Sequence, residues 1–117
     1  MVVAVLDDLM FTSKIRAAAN GLGVAVTFVR SREAALTAVR EHRPTLVVLD
    51  LNSPRTDPLG LVSEMKRDPA LQQTRTLGFV SHVDTERIDA ARTAGVGEVL
   101  ARSAFVQQLP EILERGR

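Results

Sequence analysis

Apolar strand-like runs alternate with helical patterns five times along this chain, and that alternation leaves few folds open. The runs are Val2–Leu6, Val24–Val29, Thr45–Leu49, Thr76–Val80 and Gly97–Ala101. The first and third are short, β-branched and apolar, as a strand buried on both faces of a parallel sheet reads. The fifth is the weakest, because Glu98 interrupts it. The order βαβαβαβαβα demands a parallel sheet with helices on both faces. Right-handed crossovers reduce the choices further. The expectation is a five-stranded, doubly wound α/β domain with strand order 2-1-3-4-5.

The helical segments carry their own punctuation. Thr12–Asn20 places Ile15, Ala18 and Ala19 on one face, with Gly21 just past its end. Ser31 can cap the next helix, whose buried stripe is Ala35, Leu36 and Val39, and Pro44 stops it. Asp57-Pro58 is an N-cap followed by proline at the first helical position, and Leu61, Val62 and Met65 form the apolar face up to Asp68-Pro69. Asp84 caps a helix carrying Ile88 and Ala91 that Gly95 closes. The last helix presents Phe105, Leu109, Ile112 and Leu113, with Pro110 inside the pattern as either a kink or a first turn.

Composition excludes several classes of function. The formal net charge is +1, so no bulk attraction to nucleic acid or membrane is indicated. The chain has no Tyr or Trp and four Phe, too few aromatics for stacking on bases. There is no Cys, hence no disulfide framework or thiolate chemistry. The apolar start is too short for a signal peptide core or a membrane span, because Asp7-Asp8 interrupts it. A cytoplasmic location is the expectation.

Chemistry concentrates where runs end. Asp7 and Asp8 follow the first run and Asp50 follows the third. With strands one and three side by side, three carboxylates converge at the carboxyl edge of the sheet, where open α/β folds bind ligands. Their mutual repulsion needs relief by a cation or a proton. Three hard oxygen donors without Cys suggest Mg²⁺ rather than zinc.

The acid pair Asp7-Asp8, the segment Asp50-Leu51-Asn52-Ser53-Pro54 and Ser81 in Gly78-Phe79-Val80-Ser81 stand in register in the right elements. In these motifs the chain resembles the receiver domain of two-component response regulators, over essentially residues 1–117 as a single domain. It is similar in form to the stand-alone chemotaxis receiver. The resemblance implies a flavodoxin-like receiver fold and a phosphoryl-accepting role for Asp50, the donor being a histidine kinase or phosphotransfer protein. It implies Mg²⁺ held by Asp8, Asp50 and the Asn52 backbone carbonyl, with Asp7 acting through water. Ser81 would donate to a phosphoryl oxygen. A downstream protein would bind the face formed by the fourth helix, fifth strand and fifth helix. The chain would assist its own phosphoryl transfer without being an enzyme in the usual sense.

Three positions depart from the family pattern. Receivers carry a lysine after the fifth strand, and this chain has Ala101-Arg102-Ser103. Arg102 keeps the charge but is planar and more weakly hydrated. It can fork a phosphoryl group, or lie across the carboxylates in the cation's place. The usual aromatic of the fifth strand is replaced by Val99, and Ser53 follows Asn52 where Met is common, a minor change. These departures support a second reading, a degenerate receiver serving as a phosphorylation-independent interaction module. A flavin binder is a weak third, lacking both the phosphate cradle and the aromatics. His42 and His82 have no zinc-ligand spacing, although His82 can shape access to Asp50.

Overall fold

A computed structural model describes residues 1–81 and 84–117; His82 lies outside the described residues. The elements are β1 (Val2–Val5), α1 (Leu9–Leu22), β2 (Val26–Val29), α2 (Arg32–His42), β3 (Leu46–Asp50), α3 (Pro58–Arg67), β4 (Arg75–Val80), α4 (Thr85–Ala94), β5 (Glu98–Ala101) and α5 (Arg102–Arg115). All pairings are parallel, and the order is β2-β1-β3-β4-β5, as the alternation predicts.

Period-two alternation along the strands divides the core into two layers. Val3, Val5, Val47 and Leu49 point to one face, where Leu36, Val39, Leu61, Val62, Met65 and Ala91 cover them. Val2, Ala4, Val48, Leu77 and Phe79 point to the other, under Phe11, Ile15, Phe105, Leu109 and Ile112. α2, α3 and α4 thus cover one side, and α1 and α5 the other. Burying these apolar faces is the main driving force for the layers.

The caps fall largely where local chemistry places them. Ser31, Asp57 and Asp84 each accept a backbone N–H from the first turn of their helix. Gly95 closes α4 at a positive φ of 108°. The first helix differs from the expected Thr12–Asn20. It starts at Leu9, because Asp8 Oδ1 takes the Phe11 N–H at 3.0 Å, and it runs through Gly21 to a left-handed Gly23 cap. Leu9 and Met10 are 65% and 85% exposed, so apolar periodicity could not reveal that first turn. Val24 belongs to this cap, its N–H donating to the Ala19 carbonyl, and β2 begins two residues later than the apolar run. β3 is shifted by one residue, losing Thr45 and gaining Asp50, which lies opposite Phe79. Pro110 is not a first turn: α5 begins at Arg102 and continues through it to Arg115.

Candidate functional site

Asp50 is the last residue of β3 and is only 6% exposed. The chain that follows is held from both sides. Leu51 donates its N–H to the Phe79 carbonyl at 3.0 Å, and its own carbonyl accepts from Arg87 Nη1 at 3.0 Å. The buried Leu51 side chain lies against Gly78, where an added Cβ would fall 2.7 Å from Leu51 Cδ1. Gly78 is therefore needed for close approach. The Asn52 N–H donates to Asp50 Oδ1 at 2.9 Å, an Asx-turn that orients the carboxylate. Asn52 Oδ1 in turn accepts the Ser81 backbone N–H at 2.7 Å, tying the ends of β3 and β4 together.

The acid pair is anchored separately. Asp7 Oδ1 accepts the hydroxyl of buried Ser53 at 2.9 Å, and Asp7 Oδ2 faces Arg55 Nε at 3.7 Å. Ser53, a minor change by sequence, thus joins the first and third strand loops. Asp8 caps α1 with Oδ1, while Oδ2 meets Arg102 Nη2 at 3.4 Å. The Arg102 guanidinium lies over the Phe11 ring, 4.4 Å from its centroid, and 5.8 Å from that of Phe79. Arg102 is folded into the site, against Asp8, in keeping with the expectation that it could lie across the carboxylates.

The two kinds of acid differ electrostatically. Burial pushes the Asp50 carboxyl above its ordinary value of 3.8; the Asn52 N–H and Arg102 oppose this, and Asp7 and Asp8 add to it. The Phe11 N–H holds Asp8 below the ordinary value against some desolvation, with help from Arg102. The pull of Asp7 and Asp8 on the Asp50 carboxyl puts both within its reach, as the neighbouring of β1 and β3 requires.

The donor set suits a hard divalent cation. Carboxylate oxygens and a backbone carbonyl are its preferred ligands, and its charge would relieve a buried, mutually repelling acid. Among the described residues no three Asp, Glu or His side chains are grouped as ligands. The acids hold protein partners instead, and the Arg102 contact on Asp8 is one a metal would have to share or replace.

Asp7, Asp8, Asp50, Asn52, Ser81 and Arg102 therefore come from four loops to one rim of the sheet. Sequence reasoning missed the linking role of the Asn52 side chain, the Ser53 hydroxyl and Phe11. Phe11 carried a faint signal, as the residue three positions after a capping aspartate. A doubly wound parallel sheet in this order, with acids at its carboxyl edge, defines the flavodoxin-like receiver class. The family model of the response regulator receiver domain matches residues 2–114, and the chain belongs to that family.

Similar solved structures include a response regulator from Hahella chejuensis, 22% identical, with a TM-score of 0.86 over 97% of this chain and 91% of that one. The phosphorylated cyanobacterial phytochrome response regulator RcpA is 26% identical, with a TM-score of 0.78 over 97% and 87%. The chemotaxis response regulator CheY4 of Vibrio cholerae is 18% identical, with a TM-score of 0.84 over 99% and 97%. No curated protein matches the sequence.

Proposed function

We propose that Asp50 accepts a phosphoryl group from a phosphohistidine on a histidine kinase or phosphotransfer protein. The observation that supports this most is the meeting of Asp7, Asp8 and Asp50 at the carboxyl edge, with Asp50 buried and oriented by its Asx-turn. An Asp50 carboxylate oxygen forms the new O–P bond in line, while the N–P bond breaks and its electron pair stays on the histidine nitrogen. This transfer needs positioning and charge neutralisation more than a strong base. Asp8, Asp50 and the Asn52 carbonyl would hold Mg²⁺, with Asp7 acting through water. When bound, the ion supplies charge that screens phosphoryl oxygens from the carboxylates.

The remaining steps belong to side chains. Ser81 stands at the end of β4, fixed through its N–H to Asn52, and its hydroxyl donates to a phosphoryl oxygen. Arg102 supplies the positive charge for which receivers use lysine. The modified aspartate carries added charge and acceptor oxygens, and these bias the loop after β4 and the face formed by α4, β5 and α5. That face binds the downstream protein. Val99 on β5 is half-buried and packs on the core layer that holds Ala91, so a rotating ring does not carry the coupling. None of the described helices is long and apolar enough to cross a membrane. A cytoplasmic receiver, acting as a switch and not as an enzyme on other molecules, fits these features.

Incubation with acetyl phosphate and Mg²⁺ is expected to add the mass of one phosphoryl group, and Asp50→Asn to lose it. An unmodified wild-type protein under those conditions overturns the proposal. The Arg102–Asp8 contact favours one alternative, a degenerate receiver that binds its partner without phosphorylation. That reading requires partner binding to be unchanged in Asp50→Ala and indifferent to phosphodonors.

A further inference from the structure

We propose that Arg102, stacked on Phe11, is the resident cation of the acidic rim and competes with a divalent ion for Asp8. The inference rests on the receiver reading only for the identity of the competing ion.

Ordinary preferences do not explain a guanidinium in this place. Arg102 is the first residue of α5, and its N-cap, Ala101, supplies no side-chain hydrogen bond. The amino end of a helix carries partial positive charge and favours anions, so the local field disfavours Arg102. Solvation does not hold it there either. Its side chain is 33% exposed, but Nε is sealed from solvent and has no hydrogen-bond partner among the described residues.

Two contacts account for the position. One is Asp8 Oδ2, 3.4 Å from Nη2. The other is the face of Phe11, 4.4 Å from Cζ. Phe11 cannot easily turn away, because its ring packs 4.9 Å from Phe79 and 5.8 Å from Phe105, and those two stack at 4.6 Å. A planar, weakly hydrated guanidinium suits such a platform better than an ammonium does. Phe11 is thus a positioning residue acting through Arg102. A dication on Asp8 would meet this fixed positive charge within a few ångströms, so metal binding must overcome the repulsion or displace the arginine.

Mn²⁺ titration, followed by calorimetry or electron paramagnetic resonance at fixed ionic strength, tests the proposal without reference to activity. Arg102→Met is expected to bind Mn²⁺ on the order of tenfold more tightly than wild type. Phe11→Leu, which keeps apolar bulk but removes the aromatic face, is expected to tighten binding about threefold. In an Arg102→Met background Phe11→Leu is expected to add nothing, since the stack is already gone. Far-UV circular dichroism checks folding, and Arg102→Gln replaces Arg102→Met if the latter does not fold.

Unchanged or weaker Mn²⁺ binding on removal of the Arg102 charge overturns the proposal, as does absence of binding in both proteins. Equal tightening by Phe11→Leu with and without Arg102 overturns the positioning role. Failure of acetyl phosphate labelling, with the Mn²⁺ response intact, removes the receiver reading alone. Labelling of Asp50 with no Mn²⁺ response to Arg102 removes this inference alone.

Discussion

The two edges of the sheet hold their charges differently, and the difference is instructive. At the amino edge a cleft of about 310 Å³ is lined by Lys66, Arg75, Thr76, Gly97, Glu98 and Arg115 among others. Lys66 and Arg115 sit in the last turns of α3 and α5, where cations complement the helix dipoles. At the carboxyl edge Asp8 likewise complements α1 as its cap. Asp50 does not fit this pattern. It is buried beside two other acids, and burial holds its carboxyl above the ordinary range. Charges at the amino edge need no ligand to be stable. The charge on Asp50 is a standing cost, and the chemistry is assigned where that cost lies.

Four substitutions can break or sharpen this contrast. The largest effect is expected from Ile112→Ala, at the amino edge. Ile112 is fully buried, and the change should cost about 2–5 kcal/mol in denaturant unfolding while leaving Asp50 labelling intact. Loss of labelling in the folded variant would undo the separation of the edges. Gly78→Ala, beside the site, should cost about 1–3 kcal/mol through the clash with Leu51. Because Leu51 follows Asp50, labelling should slow as well; a normal rate would show that the loop tolerates the shift.

Asp50→Asn should stabilise the metal-free protein at neutral pH, since it removes a buried charge. The sign follows from the raised carboxyl value. Wild type carries the penalty above the folded value and loses it as pH falls towards 3.8, so the gain of the variant should vanish over that window. Asp8 runs the other way: its depressed value gives stability that is present above 3.8 and lost as pH falls through the folded value. Thermal unfolding as a function of pH separates the two, and a pH-independent difference would argue against a buried charge. The smallest effect is expected from Arg75→Gln. Arg75 is exposed and has no ion pair among the described residues, so stability should stay within about 0.5 kcal/mol. A larger change would show that the amino-edge cations do more than balance dipoles.

What could be read in advance divides along physical lines. Ser31, Asp57, Asp84 and Gly95 act through neighbours three or four residues away, so their roles were legible. The start of α1 was not, because exposed Leu9 and Met10 carry no periodic signal. The acids could be placed at one edge because a parallel sheet sends the carboxyl ends of its strands the same way. Their individual partners could not. Ser53 reaches Asp7 across 46 positions, and Arg102 reaches Asp8 across 94.

By itself the sequence determined the alternation of elements, the layered sheet and the gathering of Asp7, Asp8 and Asp50. These follow from hydrophobic period, chain direction and local capping. Only the tertiary structure decided which way Arg102 turns, what it rests on and which hydroxyl holds Asp7. Those outcomes depend on packing and electrostatics between segments far apart in the chain, where alternatives differ by little energy and no local pattern records the choice.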